Sequence, residues 1–258
     1  MFKDQSIAIT GANGGIGRAI AEMFIAQGAK VAISDLQTPS KTAAEIGAIA
    51  FECDVANDEA VQGFIDMAQA ANGPIDIFVS NAGVGFGDPD NAAGASNENW
   101  ELSWQVNVMS SVYAARTLLP QMKQRGSGRF VITASAAGLL GQIGSASYTT
   151  TKHAAVGFAE SLAIRHWDQG IKTHCICPQY VRTNMTKGMA MAEEHQDGLV
   201  EPSDVADALK QAIEEDRFMV LSHPIVGEYF KHKAMDYERY IHGMNKLKQK
   251  MGNDQLPK

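Results

Sequence analysis

Short apolar runs alternate with longer amphipathic segments along most of the chain, and this alternation limits the possible folds more than any other feature. The short runs have the length of strands, whereas the longer segments place apolar residues at helical spacing, as in Ile16, Ile20 and Phe24. Strands joined by helices form parallel βαβ units, and right-handed crossovers put the helices on both faces of one sheet. The sequence therefore predicts an α/β fold with a doubly wound parallel sheet.

The apolar runs predict strands at residues 6–10, 30–34, 48–53, 75–80, 129–134, 172–177 and 218–221. The amphipathic segments predict helices at 15–27, 60–71, 98–124, 147–167 and 202–216, with another helix that ends near residue 47. Neither an internal repeat nor a Pro/Ser-rich linker divides the chain, so residues 1–258 are expected to form one domain. Within this domain we expect a substrate loop at about 184–200 and a helical extension at about 224–258.

Charge and hydropathy exclude several kinds of partner. The chain has 22 Lys and Arg against 29 Asp and Glu, and the net charge of −7 argues against nucleic acid or an anionic membrane as the main partner. No apolar stretch approaches the roughly 18 residues of a membrane span. No signal segment precedes the first strand, so we expect a cytoplasmic protein.

The cysteines and histidines do not indicate a metal site. Cys53, Cys175 and Cys177 cannot all pair within one chain, and the last two lie in a predicted buried strand. Reduced core thiols are therefore favoured over metal or redox chemistry. No histidine pair or cysteine cluster has the spacing typical of zinc ligands, so no metal is expected.

A glycine-rich turn joins the first strand to the first helix and predicts phosphate binding. Residues 11–17 read Gly-Ala-Asn-Gly-Gly-Ile-Gly, and residues without side chains let the backbone approach a pyrophosphate closely. The N–H groups at the start of the helix would then receive the phosphate charge. Such a turn can also be purely structural, but its place between a strand and a helix favours a dinucleotide site. The residues expected to contact the cofactor here are Gly11, Asn13, Gly15, Ile16 and Gly17.

Asp35 follows the second strand, 18 residues after Gly17, and indicates which dinucleotide is bound. A carboxylate at this place accepts hydrogen bonds from the adenosine ribose hydroxyls and repels a 2′-phosphate. Neither Lys nor Arg lies beside it to neutralise the charge. We therefore expect Asp35 and its neighbour Leu36 to contact NAD rather than NADP. The alternative is that Asp35 only caps a turn.

Several motifs in combination resemble the short-chain dehydrogenase/reductase family. They are the Gly-x-x-x-Gly-x-Gly turn, Asp54-Val55, Asn81-Ala82-Gly83, and the set of Ser135, Tyr148 and Lys152. The resemblance runs from residue 6 to about residue 183. It implies a Rossmann-type fold, a nicotinamide cofactor, and an enzyme that acts on CH–OH groups. It also implies a homodimer or homotetramer.

The resemblance assigns further cofactor contacts outside the glycine-rich turn. They are Asp54 and Val55 at the adenine, Asn81, Ala82 and Gly83 beneath the cofactor, and Pro178, Val181 and Thr183 at the nicotinamide. The chain departs from the family pattern at two positions, because it has Ser80 in place of Asn and Gln179 in place of Gly. The second departure makes the turn near the nicotinamide stiffer.

Tyr148 and Lys152 are four residues apart on a predicted helix, so their side chains share one face. A lysine ammonium near the phenol favours the phenolate, so we expect the pKa of Tyr148 to lie below its ordinary value of about 10. The resemblance implies that Ser135 holds the substrate oxygen, that Tyr148 transfers the proton, and that Lys152 also binds the nicotinamide ribose. It further implies that the backbone carbonyl of Asn107 holds a water in the proton relay.

A second pair, Tyr229 and Lys233, has the same spacing in a different setting. Asp216 stands at the offset where Ser135 precedes Tyr148, and no glycine-rich turn accompanies the pair. We interpret it as an exposed helix face.

The segments that follow Ser135 and Thr183 are expected to form the substrate site. Their apolar side chains suit a mid-sized apolar secondary alcohol or ketone, although the methionines could equally be core residues. The candidate wall residues are Leu139, Leu140, Ile143, Tyr180, Met185, Met189 and Met191, together with Ser135 and Tyr148. The sequence thus predicts an NAD-dependent alcohol dehydrogenase. The alternatives are an NAD-binding sensor without turnover and a related epimerase or dehydratase.

Overall fold

Parallel strands form one sheet in the computed structural model, which describes residues 1–88, 90–187 and 198–251. Within these ranges the strands are β1 (Ser6–Thr10), β2 (Lys30–Asp35), β3 (Ile49–Glu52), β4 (Ile77–Ser80), β5 (Gly128–Thr133), β6 (Ile171–Ile176) and β7 (Met219–Val220). Their order is β3-β2-β1-β4-β5-β6-β7, and every neighbouring pair is parallel. The strands form close to the predicted positions.

Helices cover both faces of this sheet. They are α1 (Gly15–Ala26), α2 (Ser40–Ile46), α3 (Asp58–Asn72), α4 (Asn97–Trp104), α5 (Ser110–Arg125), α6 (Ala146–His166), α7 (Pro202–Glu214), α8 (Ile225–Met235) and α9 (Tyr237–Lys250). Helices α3, α5 and α6 share one buried core with Ala8, whereas α1, α2 and α7 share the other with Ile7 and Ile9. Successive residues of a strand point to opposite faces, so β1 contributes to both cores. The predicted doubly wound α/β fold is confirmed.

A crevice forms at the carboxyl ends of the central strands β1 and β4. All residues of β1 and β4 are buried, as expected where helices cover a parallel sheet on both faces. From β1 the chain builds outward to β2 and β3, and then returns to the other side of β1 to form β4. The loops that leave β1 and β4 therefore diverge, and this divergence opens a crevice in folds of this type.

The helix predicted at residues 98–124 is wrong in one respect, because it is interrupted. A π-helical turn at Gln105–Met109 separates α4 from α5. Such turns accommodate an extra residue, and this one buries Asn107, whose side chain hydrogen-bonds to the backbone of Val84. Apolar spacing does not reveal the interruption, because a tertiary contact determines where the extra residue goes.

The other features predicted from the sequence concern the cysteines, metal ligands, membrane spans and the C-terminal extension. Cys53, Cys175 and Cys177 are free and buried, in agreement with core positions. No group of three or more His, Cys, Asp or Glu side chains among the described residues could hold a metal ion. None of the helices within residues 1–88, 90–187 and 198–251 is long and apolar enough to cross a membrane. Beyond the sheet, α8 and α9 occupy the region where a helical extension is predicted.

Candidate active site

The carboxyl ends of β1, β4 and β5 open into a cleft of about 660 Å³ at the point where the strand order reverses. Of the residues predicted to contact a cofactor, the cleft is lined by Gly11, Asn13, Gly15, Ile16, Asp35, Leu36, Asp54, Val55, Asn81, Ala82, Gly83, Tyr148, Lys152, Pro178, Val181 and Thr183. Ser135 and Met185 lie in the same lining. The structure thus brings together residues that are up to 174 positions apart, as Gly11 and Met185 are.

Backbone packing explains two of the glycines in the turn between β1 and α1. Gly11 has a φ of +64°, and a Cβ atom there would lie 2.6 Å from the Cα atom of Ala82. A Cβ atom at Gly17 would lie 2.4 Å from the carbonyl oxygen of Gly11, so Gly17 packs behind the turn instead of lining the cleft. A side chain at either position would push the turn away from its neighbours.

Gly14 differs because it borders open space. Apart from Gly14 and its two chain neighbours, no residue has an atom within 4 Å of the position where its Cβ atom would stand, and Gly14 lines the cleft. It is also the N-cap residue of α1, and no side chain caps this end of the helix. The first N–H groups of α1 and the positive end of its dipole are therefore left for a ligand. The turn has the space and the charge to accept a phosphate.

Asp35 stands at the end of β2, beside this turn. Its carboxylate accepts hydrogen bonds from the backbone N–H groups of Asn13, at 3.0 Å, and Leu36, at 2.8 Å. Asp35 therefore does stabilise a turn, as the alternative interpretation holds. An ionised carboxylate offers about four acceptor sites, so it can also accept hydrogen bonds from the hydroxyls of a ligand in the cleft.

Asn81 ties together the strand ends that form the floor of the cleft. Its Nδ2 atom donates to the carbonyl oxygens of Gly11, at 2.9 Å, and Thr10, at 3.2 Å. Its Oδ1 atom accepts a hydrogen bond from the hydroxyl of Thr133, at 3.2 Å. One side chain thus links the ends of β1, β4 and β5, which keeps the floor rigid.

Ser135, Tyr148 and Lys152 lie together at this floor, where Ser135 and Lys152 are buried and Tyr148 is half-buried. Ser135 caps the 3₁₀ turn Ala136–Gly138, because its Oγ atom accepts a hydrogen bond from the N–H of Ala137 at 3.1 Å. Tyr148 and Lys152 lie on the first turns of α6, and the Nζ atom of Lys152 is 5.6 Å from the centroid of the Tyr148 ring. The side chains of these two residues share one face of the helix, as their spacing predicts.

The expected lowering of the Tyr148 pKa is wrong for the chain on its own. The ring is partly accessible from the cleft, yet burial raises the pKa of Tyr148, and the hydrogen bond with Ser135 offsets only part of this rise. Burial also lowers the pKa of Lys152 to about 8, and its Nζ atom donates to the carbonyl oxygen of Thr133 at 2.9 Å. Enclosure penalises the charged forms of both groups, and it is the largest cause of both pKa shifts.

Asn107 lies behind this group rather than in the lining of the cleft. Its Oδ1 atom accepts from the N–H of Val84, and its Nδ2 atom donates to the Val84 carbonyl oxygen, both at 2.9 Å. Nδ2 also donates to the hydroxyl of Thr151, at 3.0 Å. The side chain therefore holds the loop after β4 against α6, one residue before Lys152.

The predicted substrate residues are only partly gathered at the cleft. Met185 lines it, whereas Leu140, Ile143 and Tyr180 do not, and Leu139 is part of the core. Met189 and Met191 lie outside the described residues. Several other lining residues were not predicted individually as site contacts, namely Gly14, Cys53, Val84, Leu102, Val106, Thr133, Ala134, Gln179, Asn184 and Thr186. Leu102 and Val106 could have been found, because their four-residue spacing puts them on one helix face.

The interpretation of Lys233 as part of an exposed helix face is wrong. Its side chain is buried, with an exposed fraction of 6%. The reason is tertiary, because α8 packs back toward the segment that follows Ser135.

The fold and the site together define a Rossmann-type protein with a phosphate-accepting turn and a Ser–Tyr–Lys group in one cleft. The family model for short chain dehydrogenases matches residues 5–194. The chain therefore belongs to the short-chain dehydrogenase family, and the resemblance seen in its motifs is confirmed.

Individual relatives agree with this assignment. The chain is 33% identical over 248 residues to Oxidoreductase UcpA of Salmonella typhimurium, with 93% of this chain and 90% of that protein covered. It is 34% identical over 201 residues to 3beta-hydroxysteroid dehydrogenase 2 of Eggerthella lenta, with 74% and 76% covered. A short chain dehydrogenase/reductase of Burkholderia phymatum, crystallised in complex with NAD, has a TM-score of 0.79 at 29% identity, with 92% of this chain and 95% of that chain covered.

Proposed function

We propose that this chain is an NAD-dependent oxidoreductase that interconverts a secondary alcohol and a ketone by hydride transfer, with Tyr148 as the acid/base. The observation that carries the proposal is the group of Ser135, Tyr148 and Lys152 in the same cleft as the phosphate-accepting turn. A proton-transfer group and a dinucleotide site in one cleft support the coupled transfer of a proton and a hydride.

NAD suits this cleft better than NADP. Asp35 brings a carboxylate to the glycine-rich turn, and Lys152 is the only basic side chain among the described residues that line the cleft. Lys152 belongs to the reaction centre, so a 2′-phosphate beside Asp35 would meet a negative charge without a compensating cation. The Burkholderia phymatum relative, crystallised with NAD, supports the same cofactor.

The residues that would hold the cofactor follow from their places in the cleft. The turn at residues 11–17 and the start of α1 would take the pyrophosphate, and Asp35 would take the ribose hydroxyls. NAD, when bound, supplies the hydride acceptor and, in its oxidised form, a positive charge near the reaction centre. The other proposed contacts are Asp54 and Val55 at the adenine, Asn81, Ala82 and Gly83 beneath the cofactor, and Pro178, Val181, Thr183 and Lys152 at the nicotinamide riboside.

The protein groups then divide the proton chemistry between them. In alcohol oxidation Tyr148 would accept the proton of the substrate hydroxyl as the carbinol carbon loses hydride, and in ketone reduction it would return that proton. Ser135 would hold the substrate oxygen beside the phenol. Because burial raises the pKa of Tyr148, its neutral form is ready to protonate a ketone. Alcohol oxidation needs the phenolate, which the ammonium of Lys152 stabilises from beneath the ring.

An apolar substrate is supported by the side chains at the open part of the cleft. Leu102, Val106 and Met185 line it, and Leu102 and Met185 are 42% and 45% exposed. A substrate of matching polarity would cover this apolar surface and gain the associated hydrophobic free energy. The Eggerthella lenta relative is a 3beta-hydroxysteroid dehydrogenase, and a hydroxysteroid is a secondary alcohol of this kind. We therefore propose a mid-sized apolar secondary alcohol or ketone.

A panel of secondary alcohols and ketones with NAD(H) and NADP(H), followed by the absorbance of the reduced cofactor, tests this function. Tyr148→Phe should lower kcat on the best substrate by about 10²–10⁴-fold and leave the Kd for NAD unchanged, because it removes only the proton-transferring oxygen. Full activity of this variant would exclude Tyr148 from its role, and more efficient turnover with NADP would overturn the cofactor assignment.

The same panel distinguishes the proposed dehydrogenase from an NAD-binding sensor without turnover. Binding of NAD without turnover of any alcohol or ketone would favour the NAD-binding sensor. The cytoplasmic location and the homo-oligomeric state stay predictions.

A further inference from the structure

Three hydrogen bonds hold the Nζ atom of Lys233. It donates to the carbonyl oxygens of Leu139, at 2.7 Å, and Leu140, at 3.1 Å, and it lies 3.2 Å from the Nε2 atom of His153. The Nδ1 atom of His153 is 2.9 Å from the carbonyl oxygen of Thr149, which can only accept, so Nδ1 carries the hydrogen and Nε2 accepts from Lys233. These three partners match the three N–H groups of a lysine ammonium.

The surroundings of this ammonium are neutral. Its hydrogen-bond partners within the described residues are carbonyl oxygens and an imidazole, and the ring centroids of Tyr237 and Tyr240 lie 5.5 Å and 5.4 Å away. The hydroxyl of Tyr240 also packs against Gly141, where a Cβ atom would lie 3.4 Å from it. Burying an ammonium without a counter-charge is costly. This cost points to a role beyond filling space.

The position of the ammonium indicates that role. Leu139 and Leu140 directly follow the 3₁₀ turn that Ser135 caps, and His153 directly follows Lys152 on α6. One side chain thus joins the two segments that carry the reaction centre. It reaches them from α8, which lies outside residues 5–194 matched by the family model.

We propose that Lys233 is a positioning residue that fixes the segment of Ser135 against α6 and thereby sets the alignment of Ser135 with Tyr148. The role rests on the proposed function, because it requires Tyr148 to exchange a proton with a substrate that Ser135 holds. Lys233 itself does not line the cleft, so it acts through the backbone of Leu139 and Leu140.

Lys233→Met tests the role, because methionine is of similar length and lacks the charge and the N–H donors. We expect kcat/KM for the alcohol to fall by about 10²-fold, the cost of a small misplacement at a reaction centre, while the Kd for NAD stays at the wild-type value. The matched control is Lys231→Met on the same helix, whose side chain is exposed and pairs with Glu228 at 2.7 Å. It removes the same charge and should keep the wild-type kinetics.

The pH profile separates positioning from packing. The hydrogen bond with Ser135 lowers the pKa of Tyr148, so a displaced Ser135 should move the acid limb of kcat/KM for alcohol oxidation to higher pH. Lys233→Arg keeps a cation with N–H donors and should return this limb toward the wild type. A Lys233→Met enzyme that loses thermal stability but keeps the wild-type kinetics and pH profile would overturn the proposal.

Two further measurements cover the remaining outcomes. If Lys233→Met does not fold, His153→Leu can replace it, because it removes the third acceptor of Lys233 together with the hydrogen bond of His153 to Thr149 and leaves both carbonyl contacts of Lys233 in place. It should shift the acid limb in the same direction, and an unshifted limb contradicts the role. If the wild type oxidises no alcohol, the proposed function fails, but amide hydrogen exchange of residues 139–143 still tests whether Lys233 holds this segment against α6. Faster exchange in Lys233→Met than in Lys231→Met supports this positioning by Lys233, whereas equal exchange overturns it.

Discussion

Replacing Lys152 with Met should change how the stability of the protein without NAD depends on pH. Burial lowers the pKa of Lys152 from its ordinary value of 10.5 to about 8. Between these two values the unfolded chain still holds the proton and the folded chain has lost it. The unfolded state therefore binds more protons, and the free energy of unfolding of the wild type rises with pH across this window. Lys152→Met removes that rise.

The size of the effect follows from the two pKa values. Between about pH 7 and about pH 9.5 they give the wild type a gain of about 2 kcal/mol relative to Lys152→Met. The variant also loses the hydrogen bond to the carbonyl oxygen of Thr133, which costs on the order of 1 kcal/mol. That loss is nearly the same at both pH values, so it cancels when the two differences are compared.

Urea unfolding of the wild type and Lys152→Met at these two pH values measures the gain directly. Lys231→Met controls for the change in net charge, because it removes a lysine from an exposed position on α8. Samples without NAD are required, since a ligand bound only to the folded state would add its own stabilisation. If the stability difference between wild type and Lys152→Met is equal at both pH values, the lysine is not desolvated and the electrostatic account of the site is wrong.

Two other substitutions test the cofactor end of the cleft. Gly14→Ala puts a methyl group into open space that faces the ligand, so it should raise the Kd for NAD by about 10- to 100-fold through loss of a charge-assisted hydrogen bond, with little change in unfolding temperature. Gly11→Ala should instead destabilise the fold, because it adds a side chain at positive φ against Ala82. The expected loss in thermal unfolding is at least about 1–2 kcal/mol. Equal stability of the two variants would contradict this distinction. Asp35→Ala should lower the ratio of kcat/KM for NAD to that for NADP, because it removes the charge that repels a 2′-phosphate. An unchanged ratio in steady-state kinetics would assign Asp35 to the turn alone.

Local features of the chain were enough to predict the framework of the site. Strand positions follow from apolar runs, and the glycine-rich turn and the four-residue spacing of Tyr148 and Lys152 depend only on neighbouring residues. The carboxyl ends of parallel strands meet at one edge of the sheet, so Ser135 after β5 could be placed beside the turn after β1. Short-range pattern and sheet geometry therefore predict the glycine-rich turn, Asp35 and the group of Ser135, Tyr148 and Lys152, whereas the lining residues at 54–55, 81–83, 178, 181 and 183 come from the resemblance to the short-chain dehydrogenase/reductase family.

Burial was harder to predict, because it depends on elements that are distant in the chain. The expected shift of the Tyr148 pKa had the wrong sign because the enclosure of the phenol raises its pKa by more than the hydrogen bond with Ser135 lowers it. The π-helical turn at Gln105–Met109 exists where Asn107 meets the loop after β4, a contact that helical periodicity does not contain.

Lys233 shows most clearly how local sequence pattern and tertiary packing can differ. Its sequence neighbourhood is that of an exposed helix, and its partners Leu139 and His153 lie 94 and 80 residues away. The amino-acid sequence by itself determined the class of fold and the glycine-rich turn, since local pattern specifies them, and together with the family resemblance it indicated the candidate reactive side chains. Only the tertiary structure decided which charges are buried and which segments are tied together, because desolvation and long-range contacts arise when distant elements pack.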